Sequence, residues 1–202
     1  SSKVLSIFGS APDPAALAEA AAILRRGGLV AFPTETVYGL GADASNPEAV
    51  GRLNRVKDRP PEKPYSLHLY ASEQVLSYVK PIPPLAERLM QRFWPGPLTI
   101  VPPAKDGRPV GVRLPDHPVA RAFLEACRVP VIAPSANCSG FPPPTDAQEV
   151  LAALDGDVDC VLDAGPTRMG KESTVVEVVG NRVEIRREGA VPKEAVLAAV
   201  RG

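Results

Sequence analysis

The sequence predicts an α/β fold, because helical and extended patterns alternate along the whole chain. Short apolar runs such as Leu29–Phe32 are typical of buried strands, and segments with helical spacing of apolar residues lie between them. The chain has 202 residues, 45% of them hydrophobic, which is enough for one domain, or at most two small ones, with a substantial buried core.

Prolines mark where several predicted elements begin. Pro14, Pro47, Pro84 and Pro192 each open a helix, since proline suits the first helical turn. The predicted helices cover residues 14–26, 47–56, 84–94, 117–127, 146–154 and 192–200. The predicted strands cover residues 29–32, 66–70, 98–101, 110–114, 160–165, 173–179 and 182–187, and a further strand enters a loop within 130–140. Residues 33–41 and the proline-rich residues 57–64 are predicted to be loops.

Charge and composition narrow the function classes. The 23 basic and 23 acidic residues cancel, so the basic excess of a typical nucleic-acid-binding protein is missing. Cys127, Cys138 and Cys160 fit neither a zinc pair nor an even disulfide framework, and we interpret them as small apolar residues in a reducing compartment. Two histidines are too few for a histidine-rich metal site. With no signal peptide pattern and no long apolar run, we expect a cytoplasmic protein without membrane contact.

The segment Pro33–Gly41, PTETVYGLG, follows a predicted buried strand and combines hydroxyls, one carboxylate and two glycines. Strand exits are where α/β sheets place ligands, glycines permit close backbone approach, and hydroxyls hold small polar molecules. The segment is neither a Walker A loop nor a G-x-G-x-x-G loop. An ordinary tight turn with capping threonines explains the same residues equally well.

Three cations, Lys57, Arg59 and Lys63, lie within seven residues of a proline-stiffened segment. Phosphates are natural partners for such a cluster, because arginine offers bidentate hydrogen bonds and lysine a mobile charge. A solvated loop neutralised by Asp58 and Glu62 is the competing interpretation.

The segment Ala133–Gly140, APSANCSG, leaves a predicted strand and is dense in small polar groups. Ser135 and Asn137 could bind phosphate or ribose oxygens, although a polar turn explains them as well. Without a G-x-S-x-G elbow or a nearby histidine, Ser135 is not expected to be a nucleophile. Further polar candidates are His68, Arg113, Ser173, Thr174 and Arg187; the histidine and the two arginines also have a purely structural interpretation.

The ordered motifs FPTETVYGLG, KDRPPEK, WPGPLT, VGVRLPDHP, APSANCSG and KESTVV resemble the YrdC family of threonylcarbamoyl-AMP synthases, from about Ala15 to about Val200. The resemblance implies a single YrdC-like domain over residues 1–202, with its core between about 15 and 200. It also implies a twisted mixed β-sheet flanked by helices, with a large concave, positively lined cavity. Because longer relatives carry a second domain, the chain is expected to represent the short, single-domain form.

The resemblance further implies an enzyme, a nucleotidyltransferase. L-threonine and bicarbonate are expected to give N-carboxythreonine, whose carboxylate attacks the α-phosphate of ATP and releases pyrophosphate. Mg²⁺ is expected to arrive with ATP and not on protein side chains. The product, threonylcarbamoyladenylate, is expected to feed the t6A modification of tRNA position 37 by partner proteins.

The family pattern also assigns site residues. The threonine site is expected to comprise Thr36, His68, Arg113, Ala133 and Ser173. The nucleotide site is expected to comprise Arg59, Lys63, Ser135, Asn137 and Arg187. Lys57 and Arg59 are the catalytic candidates, because with Lys63 they could neutralise charge that builds on the triphosphate.

Two departures from the family pattern concern the nucleotide site. Arg187 begins R-E-G where relatives often have R-P-G, and Pro143 replaces a serine that some relatives carry. The main alternative is a double-stranded RNA-binding or tRNA-binding protein without catalysis, although no RRM, KH or OB signature is visible. Weak binding of tRNA or other RNA stays open. A carbamoyl-adenylate enzyme for another acceptor is disfavoured, because the zinc-finger cysteines of such proteins are missing.

Overall fold

The computed structural model describes residues 2–8, 11–59, 65–103 and 110–202. Within these ranges the chain forms helices and strands in alternation. The α-helices are α1 (Pro14–Arg25), α2 (Pro47–Lys57), α3 (Pro84–Phe93), α4 (Pro118–Cys127), α5 (Ala147–Leu154) and α6 (Lys193–Arg201), and a 3₁₀ helix covers Ser72–Ser77. The strands are β1 (Lys3–Ser6), β2 (Val30–Pro33), β3 (Tyr38–Asp43), β4 (Leu67–His68), β5 (Leu98–Val101), β6 (Val112–Arg113), β7 (Val131–Ile132), β8 (Cys160–Asp163), β9 (Thr174–Val179) and β10 (Arg182–Arg187).

The strands form one mixed sheet in the order β1-β8-β2-β3-β7-β4-β6-β5-β9-β10. Four neighbouring pairs are parallel (β1 with β8, β8 with β2, β4 with β6, β5 with β9), and the remaining pairs are antiparallel. The predicted α/β fold with a mixed sheet between helices is therefore confirmed.

Helices pack on both faces of the sheet because buried side chains alternate along its strands. Val30 and Phe32 of β2 belong to the core beneath α1 and α4, whereas Ala31 between them belongs to the core beneath α2 and α5. A third core joins α3 and α6 to β5 and β9, around Leu89 and Val176. None of the described helices has both the length and the hydropathy of a transmembrane segment.

Capping residues fix the helix starts as the sequence predicts. Asn46 caps α2, its side-chain oxygen accepting from the amides of Glu48 and Ala49 at 3.0 and 3.3 Å. His117 caps α4 in the same way through Nδ1. A side-chain acceptor at this position satisfies amides that have no partner within the helix.

The prediction of a loop over residues 33–41 was wrong in its second half. Tyr38–Asp43 forms β3, which pairs with β2 on one side and β7 on the other. The two glycines of this strand lower its intrinsic strand preference, but all six of its residues are buried and the ladders on both sides decide its conformation. Strand β1 and the 3₁₀ helix at Ser72–Ser77 were not predicted either.

Candidate active site

A cavity of about 750 Å³ opens where the β2–β3 turn meets the ends of α2, β4, β6 and β9 and the loop after β7. Among the candidates within the described ranges, Thr174 does not line it, but every residue that the family pattern assigned to the site does. These residues are Thr36, Lys57, Arg59, His68, Arg113, Ala133, Ser135, Asn137, Ser173 and Arg187. Lys63 lies outside the described residues. The roles assigned to individual residues stay predictions, but the sequence motifs do converge on one place.

The β2–β3 turn presents a hydroxyl to this cavity. Thr34 is a turn residue, since its Oγ1 donates to the Val37 carbonyl at 2.7 Å and accepts from the Thr36 amide at 3.2 Å. The Thr36 hydroxyl lies 2.9 Å from that of Thr34 and accepts from the Arg113 guanidinium at 3.1 Å. The turn interpretation of this segment therefore applies to Thr34, and the ligand interpretation applies to Thr36.

Beneath the turn, Glu35 and Arg113 form a buried ion pair, with side-chain exposures of 0% and 3%. Nη1 of Arg113 lies 3.0 Å from each oxygen of the Glu35 carboxylate and 3.1 Å from the Gly96 carbonyl. Burial lowers the pKa of Arg113, and the charge of Glu35 opposes that change. The sequence motifs did not single out Glu35. The signal was present, because a carboxylate at the end of a buried strand requires a cationic partner.

His68 lies beside Arg113, because β4 and β6 are paired in parallel with these two residues in register. Its Nδ1 is 3.2 Å from the Ser66 carbonyl, which can only accept, so Nδ1 carries the proton and Nε2 is left as an acceptor. Burial, followed by the charge of Arg113, lowers the pKa of His68 to about 3. The imidazole is therefore neutral at physiological pH.

Lys57, at the end of α2, is buried and holds the loop after β7. Its Nζ donates to the carbonyls of Ser135 and Asn137 at 2.7 and 2.6 Å, and Oδ1 of Asn137 lies at 3.2 Å. Burial, followed by the charge of Arg59, lowers the pKa of Lys57 to about 8. The interpretation as a solvated loop therefore does not hold for Lys57, which is buried and donates hydrogen bonds to the backbone of the APSANCSG segment.

Arg59 and Asn137 are also fixed by protein contacts. Asp58 ends α2 in the left-handed conformation (φ 51°), and Arg59 follows with its guanidinium 4.5 Å from the ring centre of Tyr65. Asn137 donates through Nδ2 to the carbonyls of Cys138 and Phe141 at 3.2 and 2.5 Å.

On the opposite wall, Ser173 links β5 to the end of β10. Its hydroxyl is 2.8 Å from that of Thr99, and its carbonyl accepts from Arg187 at 2.8 and 3.1 Å. Gly189 is required nearby, because a Cβ there would collide with the carbonyl oxygens of Glu172 and Ser173. Glu188 stands where relatives often have the proline of R-P-G, but the close approach of Gly189 to the Glu172 and Ser173 carbonyls is present all the same.

No cluster of three or more potential metal ligands from histidine, cysteine, aspartate and glutamate occurs in the part of the chain that the structure describes. The cavity instead combines cations, hydroxyls, an amide and one neutral imidazole with the carboxylates of Glu172 and Glu177, which pair with Arg187 and Arg186. Such a set binds anionic and zwitterionic small molecules by hydrogen bonds and charge.

The fold and the cavity define an α/β protein with a polar site of small-molecule size. The chain belongs to the Sua5–YciO–YrdC family (Telomere recombination), whose family model matches residues 22–189. Threonylcarbamoyl-AMP synthase of Bacillus subtilis (strain 168) is 42% identical over 201 residues, covering 95% of this chain and 58% of that protein. Threonylcarbamoyl-AMP synthase of Pyrococcus abyssi (strain GE5 / Orsay) is 44% identical over 186 residues, covering 88% and 55%.

The same similarity holds in three dimensions. The crystal structure of P. abyssi Sua5 complexed with L-threonine matches with a TM-score of 0.91 and 39% identity, over 97% of this chain and 60% of that one. The chain thus spans 58% and 55% of the length of the two curated relatives. The resemblance to this family that the sequence motifs indicated is confirmed.

Proposed function

We propose that this chain is the catalytic domain of an L-threonylcarbamoyladenylate synthase, a nucleotidyltransferase that joins L-threonine, bicarbonate and ATP. The observation that supports the proposal is one cavity with two chemically different corners. Thr36, His68 and Arg113 form a corner suited to a small amino acid, and Arg59 and Ser135 belong to a corner suited to a nucleotide. The relatives from B. subtilis and P. abyssi bear the name of this activity, and P. abyssi Sua5 was solved with L-threonine.

In the proposed complex the amino-acid corner holds L-threonine by complementary polar groups. Arg113 and the Thr36 hydroxyl pair with the α-carboxylate, since guanidinium and carboxylate match in charge and geometry. His68, with Nε2 as its acceptor, accepts a hydrogen bond from the ammonium or the hydroxyl of threonine. Ala133 contributes backbone contact and Ser173 a further polar contact.

The nucleotide corner is proposed to bind ATP, which brings Mg²⁺ with it as part of the substrate. Arg59 and Lys63 neutralise the triphosphate, and Ser135, Asn137 and Arg187 contact the nucleotide. Lys57 contributes through the loop that its ammonium holds, because its shortest contacts are with the carbonyls of Ser135 and Asn137.

The proposed chemistry has two steps. The amine of threonine adds to bicarbonate and water leaves, which gives N-carboxythreonine. An oxygen of this carbamate then bonds to the α-phosphorus of ATP, the bond to the β-phosphate oxygen breaks, and pyrophosphate leaves. Carbamates revert in water, so enclosure in a cavity favours the second step. The product is proposed to pass to a separate transferase for tRNA t6A37 modification.

The test is pyrophosphate release by the purified chain with MgATP, bicarbonate and L-threonine. We expect release that requires both threonine and bicarbonate, together with formation of an adenylate detected by mass spectrometry. Omission of threonine is the control for simple ATP hydrolysis. Binding of tRNA or double-stranded RNA without threonine-dependent pyrophosphate release contradicts the proposal and favours a binding protein.

A further inference from the structure

Glu35 lies behind the cavity wall with its side chain fully buried, and the proposed chemistry gives it no task. Both oxygens of its carboxylate contact Arg113, and one also accepts from the Asp116 amide at 3.0 Å. Its own carbonyl accepts from the amide of Met169 at 3.0 Å. A buried carboxylate costs free energy unless it is paired, and because both oxygens of this one are held by named partners, we look for its task in the site.

The contacts of Arg113 divide its guanidinium into two sides. Nη1 faces Glu35 and the Gly96 carbonyl, neither of which lines the cavity. Nη2 contacts the hydroxyl of Thr36, and both Arg113 and Thr36 do line it. One side of the guanidinium is therefore anchored in the protein, while the other lies with the Thr36 hydroxyl at the cavity wall.

We infer that Glu35 is a positioning residue that fixes the guanidinium of Arg113 for recognition of a substrate α-carboxylate. This inference rests on the proposed function and assigns Glu35 a part in it. Anchoring at Nη1 removes rotational freedom before the substrate arrives, so less entropy is lost on binding. The ion pair also compensates the charge of Arg113 in a buried position that disfavours an isolated cation.

The alternative is that Glu35 only joins loops, because it also contacts Asp116 and Met169. The two possibilities differ in which ligands they affect. A positioning residue affects ligands that carry an α-carboxylate, whereas a general loosening of the site affects all ligands. L-threoninol, in which a CH₂OH group replaces the carboxylate, separates them.

The experiment compares the parent chain with Glu35→Gln, which keeps the side-chain size but removes the charge and replaces one of the two acceptor oxygens with a donor. Kd values for L-threonine, L-threoninol and MgATP are measured by calorimetry, using competition where direct heats are small. We expect L-threonine to bind about tenfold more weakly to Glu35→Gln, while Kd values for L-threoninol and MgATP stay within about twofold, as for the loss of one charge-assisted contact. Arg168→Met is the matched control, because it removes the exposed ion pair with Asp116 on the same loop.

Arg113→Lys is a second variant for the case in which Glu35→Gln does not fold. A lysine keeps the charge next to Glu35 but cannot span Glu35, Gly96 and Thr36 together, so we expect the same selective loss for L-threonine. An equal loss for L-threoninol, or an unchanged preference for L-threonine in the folded variants, overturns the inference. If the parent releases pyrophosphate in either of these cases, the proposed function survives; a parent without threonine-dependent release contradicts the function itself.

Discussion

Replacement of Lys57 by methionine is expected to lower both stability and ATP affinity. The substitution keeps most of the side-chain volume but removes the donor to the Ser135 and Asn137 carbonyls, at 2.7 and 2.6 Å. A buried acceptor that loses its partner costs about 1–3 kcal/mol, so the two together cost about 2–6 kcal/mol. Relief of the buried charge offsets part of this, and we expect a net loss of about 2–3 kcal/mol of unfolding free energy.

For a chain of this size that loss corresponds to a Tm lower by about 5–10 °C, measured by thermal unfolding at neutral pH. The loop after β7 is expected to become less ordered, so the Kd for MgATP rises more than the Kd for L-threonine. Arg55→Met is the control, because this exposed arginine lies two residues earlier on α2. Two results refute the reasoning: equal Tm values for the two variants, or equal loss of affinity for both substrates in Lys57→Met.

Three further outcomes are expected. Because the pKa of Lys57 is lowered to about 8 from 10.5, kcat/KM for ATP should fall above pH 8, and Lys57→Arg should lose this fall. Unfolding does not explain this loss of activity. Above pH 8 the unfolded chain keeps the Lys57 proton that the folded chain releases, so the contribution of Lys57 to folding stability rises with pH up to about 10.5. Thr36→Val should raise the Kd for L-threonine more than that for MgATP, with equal effects counting against Thr36 as a threonine contact. Gly189→Ala should lower the free energy of unfolding by about 1–3 kcal/mol, because the added Cβ collides with Glu172 and Ser173. An unchanged midpoint of urea denaturation would contradict this.

The starts of elements were predictable because their causes are local. Asn46 and His117 cap helices through amides two or three residues ahead, and Pro14 sets the backbone of the turn it opens. The same local reasoning failed for Tyr38–Asp43, because its two glycines resemble a turn. Pairing with β2 on one side and with β7, some ninety residues away in the chain, on the other is what makes that segment a strand.

The site was predictable as a set of residues but not as a set of contacts. The family motifs identified Lys57, Ser135 and Arg113, and all three line the cavity. Their partners depend on tertiary structure: Lys57 and Ser135 are 78 residues apart, as are Glu35 and Arg113. A sequence pattern shows that a cation is present, but it does not show whether that cation faces a ligand, a carbonyl or a carboxylate.

These partners give the two corners of the cavity different electrostatic properties. In the amino-acid corner, Glu35 neutralises Arg113 and His68 is uncharged, so the protein groups of this corner carry little net charge. A zwitterion fits such an environment, and its recognition depends on the placement of donors and acceptors. In the nucleotide corner, Lys57 contacts neutral carbonyls, and its charge is not cancelled by those contacts. Although Glu172 at the cavity wall pairs with Arg187 at 3.4 Å, the ammonium of Lys57 contributes positive potential where a triphosphate is proposed to bind. One small cavity therefore combines recognition by geometry in one corner with recognition by charge in the other.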